Sequence, residues 1–466
     1  MDWKKEQKQM PLISESNGEG GTVSSSSQKP VTGFSKLSKE DKIELIISKF
    51  FTGSDKEKEL IKSFWHKNSD LQRTLDEFSE NTLTNFVLPF GVAPNVLIND
   101  KLFCVPMVIE ESSVVAAASK AAKFWLGRGG FHTEVVSTKK VGQVHLMAGG
   151  LEKELKSLFK KEKETLISAV KPLMINMEKR GGGMTSLELK DLTDIEPGYF
   201  QLWLTFETCD AMGANFINSV LEGLGKELEA LVQLELGKEA SDNFEVVMAI
   251  LSNYTPDCLV KAWVECPIED LADKSLEVDA EHFAKKIFQG VRIAEIDTNR
   301  ATTHNKGIMN GIDSVIMATG NDYRAVEACA HTYAARSGRY KSLTTCSLED
   351  GIFRFELSIP LSIGTVGGLT ALHPLANLSL DMLGRPSAPE LMEIVATIGL
   401  AQNFAALRSL VTSGIQKGHM KMHLMNILNH LETNEEERDK AKDYFEDKAI
   451  TFRAVSDFVG QLRNYQ

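Results

Sequence analysis

"Y-F-Q-L-W-L-T-F-E", Tyr199 to Glu207, runs almost directly into "D-A-M-G-A-N-F-I-N", Asp210 to Asn218. The first stretch alternates at the two-residue period of a half-buried strand, and the second opens a helix expected over Met212–Leu234. Upstream, "Q-V-H-L-M-A" (143–148) and "M-T-S-L-E-L-K" (184–190) read as strands. Between them Leu155, Leu158, Phe159 and Ile167 recur along a charged helix, Leu151–Met177. Strand–helix–strand–strand–helix is most of a ferredoxin-like split unit. It predicts a small domain, 142–244, inserted into a larger one. The small-residue turn at Asp210 leaves free backbone N–H groups at a helix start, a natural place for phosphate. A tight N-cap formed by Asp210 gives the same pattern. No G-x-G-x-x-G follows a strand, so a dinucleotide here would bind without a Rossmann unit.

Outward from this unit, a chain of 466 residues predicts two or three domains. Residues 1–35 are polar, with "S-S-S-S" at 24–27, and read as a disordered tail. A capped helix starts at Ser38, with Asp41 three residues on and Ile43, Ile46, Ile47 and Phe50 on one face. Segments 36–141 and 245–411 form the expected large mixed domain, and 412–466 a charged helical segment. The fold class is therefore α+β. A net charge of −12 argues against nucleic acid and anionic membranes as general partners. No apolar run approaches the ~18 residues of a membrane span, and the N-terminus lacks a secretion signal. A cytoplasmic protein is expected. The six cysteines show no C-x-x-C pair or zinc spacing, so they read as reduced, mostly buried thiols. No metal site is expected.

Several short stretches could carry chemistry. "T-T-H-N-K-G-I-M-N-G", Thr302 to Gly311, places Lys306 just before an apolar helical run, Ile312 to Thr319. It is either a solvated turn residue or a fixed cation aimed at a developing oxyanion. "I-E-E-S-S-V-V-A-A-A-S" sets two carboxylates before a small-residue helix, where acids also occur for dipole reasons. The glycines of "G-T-V-G-G", Gly364 to Gly368, suit close ligand approach or a structural bend. His419 and His423 lie four apart, on one helical face.

Taken in order, the motifs are more specific. "E-N-T-L-T-N-F-V-L-P-F-G-V-A-P-N" (from Glu80), "E-E-S-S-V-V-A-A-A-S" (from Glu110) and "D-A-M-G-A-N" are followed by "R-A-T-T-H-N-K-G-I-M-N-G-I-D-S-V-I-M-A-T-G-N-D-Y-R-A-V-E-A" (from Arg300), "G-T-V-G-G" and "G-I-Q-K-G-H-M" (from Gly414). Together they resemble class II 3-hydroxy-3-methylglutaryl-coenzyme A reductase. The resemblance implies a four-electron reduction of the thioester to mevalonate and coenzyme A with two NADPH or NADH, NADPH favoured. It implies catalytic roles for Glu111, Lys306, Asp322 and His419, and substrate contacts from Ser113, Arg300, Asn310 and Gln402. Asp210, Gly213 and Asn215 match the cofactor segment, making 142–244 a non-Rossmann cofactor domain and 412–466 a flap hinged at Gly414 and Gly418. A preorganised cation stabilises the alkoxide made by hydride addition, which is the role implied for Lys306, with Asp322 beside it favouring the charged form. His419 would protonate the departing thiolate, and Glu111, kept protonated by burial, the second alkoxide.

Five positions, at three places, depart from the family pattern: Thr82-Leu83-Thr84 where it reads V-I-G, Ser112 for proline, and Cys346 for an aromatic. Every catalytic position keeps its residue type. Two other readings stand beside the reductase: the same enzyme run oxidatively on mevalonate with NAD, and a coenzyme A thioester-binding regulator without turnover. A continuous helix from Lys306 to Asp322 would hold them ~24 Å apart at ~1.5 Å per residue. Either the chain breaks near Gly311, or Asp322 serves a neighbouring subunit. The second implies a homodimer, alone or as a trimer of dimers.

Overall fold

The computed structural model describes residues 30–51, 55–272, 279–412, 424–446 and 448–464, and divides into two compact units, Met1–Val87 and Leu88–Gln466. In the first unit, Phe34–Lys36 already form a 3-10 turn inside the segment expected to be a tail; residues 1–29 of that expectation lie outside the described residues. Three helices follow, α1 (Lys39–Phe50), α2 (Asp55–Ser63) and α3 (Ser69–Asp76). Ser38 caps α1 by accepting from the Asp41 amide at 3.1 Å. A Lys39–Asp76 ion pair of 2.7 Å ties α1 to the end of α3.

The second unit opens with an antiparallel hairpin, β1 (Phe90–Ile98) and β2 (Lys101–Val108), followed by α4 (Val114–Leu126). The chain then enters two four-stranded antiparallel sheets. β3 (His132–Val135) belongs to one sheet, and β4 (Lys140–Ala148) to the other. Helix α5 (Glu152–Glu178), strands β5 (Gly183–Asp191) and β6 (Tyr199–Glu207), helix α6 (Ala214–Leu236) and strand β7 (Phe244–Leu251) complete the second sheet, in the order β5-β6-β4-β7. Period-two alternation sends Phe200, Leu202, Leu204 and Phe206 to one face. There they meet Leu155, Leu158 and Val170 of α5 and Ile217, Leu221 and Leu224 of α6 in one core. The sheet reaches beyond the 142–244 expected from sequence. Strand β4 starts at Lys140, and the chain after α6 returns through one short turn to pair β7 along β4. β7 was hard to read because it is an edge strand with Val247, Met248 and Ile250 exposed, which blurs the alternation.

Strand β8 (Leu259–Pro267), helices α7 (Ala280–Ile296), α8 (Thr298–Ala318) and α9 (Tyr323–Ala334), and strands β9 (Thr344–Glu349) and β10 (Ile352–Pro360) follow. They give the other sheet its order, β3-β8-β10-β9. Helices α10 (Pro374–Met382) and α11 (Ala388–Val411) come next, then α12 (Glu435–Tyr444) and α13 (Phe452–Asn464). The last two share a small separate core with Leu424, Ile427 and Leu428.

Helix α11 corrects one expectation. It is long and apolar enough, by composition, to cross a membrane, although no such run was expected. Its residues from Leu391 to Phe404 are almost all buried among the sheet and α8, so it is apolar on every side because it is an interior helix. The α8–α11 contact depends on Gly311, where a Cβ would lie 2.7 Å from the Ile398 carbonyl oxygen and 2.9 Å from the Gln402 Cβ. Gly311→Ala is therefore expected to cost about 1–3 kcal/mol through overpacking. Chemical denaturation measures this, and unchanged stability would contradict it.

Candidate active site

Lys306 lies inside a helix. Asp297 starts α8 by accepting from the Arg300 amide at 2.9 Å, and Ala301, Ile308, Ile312, Val315 and Ile316 form its buried face. The helix runs unbroken through Gly307 and Gly311, so the turn-residue reading falls, and so does the alternative of a chain break near Gly311. Four residues apart, Lys306 and Asn310 share one face. Glu111 comes to them from the loop before α4, which turns into that helix at Ser113 with a left-handed φ of 76°. Lys306 Nζ donates to Glu111 Oε2 at 2.6 Å, and Asn310 Nδ2 lies 3.4 Å from the same oxygen. Residues from two distant motifs, Lys306 and Asn310 from one and Glu111 from the other, thus meet at one carboxylate oxygen.

Burial around Glu111 is less than expected. Its side chain is 40% exposed and ion-paired with Lys306, where burial was expected. Asp322 also differs from the simplest expectation. It is the N-cap of α9, accepting from the Arg324 and Ala325 amides at 3.0 and 3.3 Å and from Arg324 Nε at 3.0 Å. Burial works against its charge, but Arg324 and these amides outweigh that and hold its carboxyl below the usual range. It is not paired with Lys306. Twelve residues of helix, ~18 Å of axis, separate Lys306 from the end of α8 at Ala318.

Arg300 stands in the first turn of α8, half-buried. Burial pulls its guanidinium below its usual pKa, and no carboxylate pairs with it among the described residues. That leaves a desolvated cation open to an anionic group. Gln402 is buried on α11 against Gly311, with its Oε1 unpaired in the structure. His419 lies outside the described residues, as does the hinge at Gly414 and Gly418.

A scaffold beneath these residues was missed in the sequence. His304 Nε2 pairs with the Thr344 hydroxyl at 2.6 Å, and Asn403 Nδ2 donates to the His304 carbonyl at 3.2 Å. Asn305 holds the Lys341 carbonyl at 2.9 Å and the Leu343 amide at 3.0 Å. Burial, then the charge of Arg300, pushes the His304 imidazole down to about 3. It is neutral at working pH, so the positive field comes from Lys306 and Arg300. The one signal for this scaffold was the H-N pair preceding the lysine.

At Asp210 to Asn215 the capping reading is corrected. Gly213, φ 90°, is the N-cap residue of α6, and no side chain caps that helix. Asp210 instead accepts the Ala388 amide at 2.7 Å through Oδ1 and the Thr365 amide at 2.8 Å through its carbonyl. The segment is thereby joined to the "G-T-V-G-G" loop and to the start of α11. The first amides of α6, where Asn215 sits, are left for another acceptor.

A family model described as hydroxymethylglutaryl-coenzyme A reductase matches residues 41–424. A 3-hydroxy-3-methylglutaryl-coenzyme A reductase of Archaeoglobus fulgidus is 36% identical over 411 residues, 87% of this chain and 88% of that protein. A probable one from Borreliella burgdorferi is 35% identical, covering 82% of this chain and 84% of its own. Among solved structures, the class II 3-hydroxy-3-methylglutaryl-CoA reductase of Streptococcus pneumoniae, bound to NADPH in open conformations, superposes with a TM-score of 0.67. It is 36% identical over 82% of this chain and 99% of that one.

Proposed function

Because the chain belongs to the hydroxymethylglutaryl-coenzyme A reductase family, in its class II branch, we propose that it reduces 3-hydroxy-3-methylglutaryl-coenzyme A to mevalonate and coenzyme A. The observation that carries this reading is the meeting of Lys306 Nζ, Asn310 Nδ2 and Glu111 Oε2 within 3.4 Å.

In this reading Lys306 takes the thioester oxygen with its ammonium, and a preorganised charge there favours the alkoxide over the carbonyl. Glu111, the carboxylate partner of Lys306, would first take up a proton from solvent and then give it to the second alkoxide once the site is closed and water is excluded. Arg300 takes the substrate's free carboxylate, Asn310 and Ser113 its hydroxyl side, and the unpaired Gln402 Oε1 is a further polar partner. A bound reduced nicotinamide supplies the hydride. NADPH is the favoured form, supported by the pneumococcal structure that carries it.

The residues fit such a cofactor at Asp210, Gly213 and Asn215. A Cβ at Gly213 would come within 2.5 Å of Thr208 Cγ2, and the uncapped amides of α6 suit a diphosphate. We read the sheet β7-β4-β6-β5 with α5 and α6 as the ferredoxin-like cofactor domain, inserted into the large substrate domain. The chain from 412 is the flap, a reading supported by its separate small core. Homodimers, alone or as three dimers in a ring, belong to the same proposal. It is supported by Asp322 standing away from Lys306 of its own chain. A cytoplasmic location fits six unpaired cysteines.

His419 would protonate the thiolate as coenzyme A leaves. His419→Ala is then expected to impair thioester reduction by roughly 10²-fold while largely sparing reduction of mevaldehyde. Cofactor oxidation followed on both substrates tests this, and equal loss on both would make the residue a closure or binding group instead.

A further inference from the structure

Lys140, the first residue of β4, is a charged side chain that the reaction does not use, and it is only 3% exposed. Its ammonium donates to the Thr208 hydroxyl and, at 3.1 Å, to the Ala211 carbonyl. The Thr208 hydroxyl donates to that same carbonyl at 2.6 Å. These three groups close a ring beneath the turn from β6 into α6, and Gly213 packs closely on the Thr208 side chain, where a Cβ would lie 2.5 Å from its methyl carbon. Burial pulls the Lys140 pKa down, while Cys258, Glu207, Cys209 and Asp210 act at longer range in the other direction. No carboxylate forms an ion pair with it among the described residues. An ammonium without a contacting counter-ion is costly inside a protein, so its place under an uncapped helix start calls for an anion above it.

We propose that Lys140 is a positioning residue for the dinucleotide: it fixes the Thr208–Gly213 turn and adds positive potential below the α6 amides that receive the diphosphate. This rests on assigning Asp210 to Asn215 to the cofactor. Lys140 acts through the backbone, because its ammonium is directed at the Thr208 hydroxyl and the Ala211 carbonyl and its side chain is sealed from solvent. The consequence is selective. Losing it should loosen cofactor binding and leave the Lys306–Glu111 site, which is built from α8 and the loop before α4, unaltered.

The test is titration of the full-length protein with NADPH by nicotinamide fluorescence, together with KM and kcat for each substrate. Lys140→Met is expected to weaken NADPH binding by roughly 10- to 10²-fold. The thioester KM and the kcat at saturating NADPH should stay within about 3-fold of the parent. Thr208→Val, which removes the hydroxyl from the same ring, should act in the same direction and serves if the lysine variant does not fold. Gly213→Val is the control for the cofactor segment. Unchanged binding in both ring variants with weakened binding in Gly213→Val overturns the inference alone. Unchanged binding in all three overturns the cofactor assignment and the inference with it. A parallel loss in cofactor binding, thioester KM and melting temperature would reduce Lys140 to a general structural group.

Discussion

Lys306→Ala is expected to lower thioester reduction by at least ~10²–10³-fold, the usual cost of one lost oxyanion donor, while NADPH binding and the melting temperature stay near those of the parent. The size follows from the geometry. The ammonium is fixed by a helix whose opposite face is buried, so it arrives preorganised and does not have to be gathered by the substrate. The other basic residues of α8 on its N-terminal side do not replace it: Arg300 is six residues, about 1.7 turns, away, and His304 is held neutral. Stability should be nearly unaffected, because the Lys306–Glu111 pair is surface-exposed and such pairs contribute little, about 0–1 kcal/mol. Loss of NADPH binding in this variant would place the residue in the cofactor site. Near-native turnover would remove it from the chemistry.

Mixing two dead proteins should restore activity. Lys306→Ala and Asp322→Ala are each expected to be inactive as homodimers. If Asp322 serves the partner's Lys306, a mixed dimer rebuilds one of its two sites. Random exchange makes half of the dimers mixed, so activity should return to roughly a quarter of the parent level. Asp322 is anchored as the cap of α9 and bonded to Arg324, beyond the end of α8. It has no route to Lys306 of its own chain short of unwinding the helix. No regained activity after proven subunit exchange would confine each site to one chain.

Legibility in the sequence followed the reach of each interaction. The strand–helix–strand–strand–helix order around Tyr199 was readable because local periodicity determines it. So was the Ser38 cap, which acts over three residues. Lys306, Asn310 and Glu111 could be nominated by motif, but their meeting at one oxygen joins positions 195 and 199 residues apart, and no local signal carries such a contact. The helix through Lys306 was obscured by Gly307, Asn310 and Gly311, all poor helix formers. Tertiary packing overrides them, and Gly311 is there to let α11 approach. Asp210 resembled a cap because its partner Ala388 is 178 residues away. The His304–Thr344–Asn403 scaffold and the Lys140 ring were not legible, since each joins polar residues from separate elements.

The proposed reaction has a fixed stoichiometry, and measuring it is the most direct test. Purified protein is given 3-hydroxy-3-methylglutaryl-coenzyme A and excess NADPH, and cofactor oxidation and free thiol release are recorded in the same sample. Two NADPH oxidised for each coenzyme A released, with mevalonate as product, is the result expected. Thiol release without cofactor oxidation, or one NADPH per thiol with aldehyde accumulating, would contradict it.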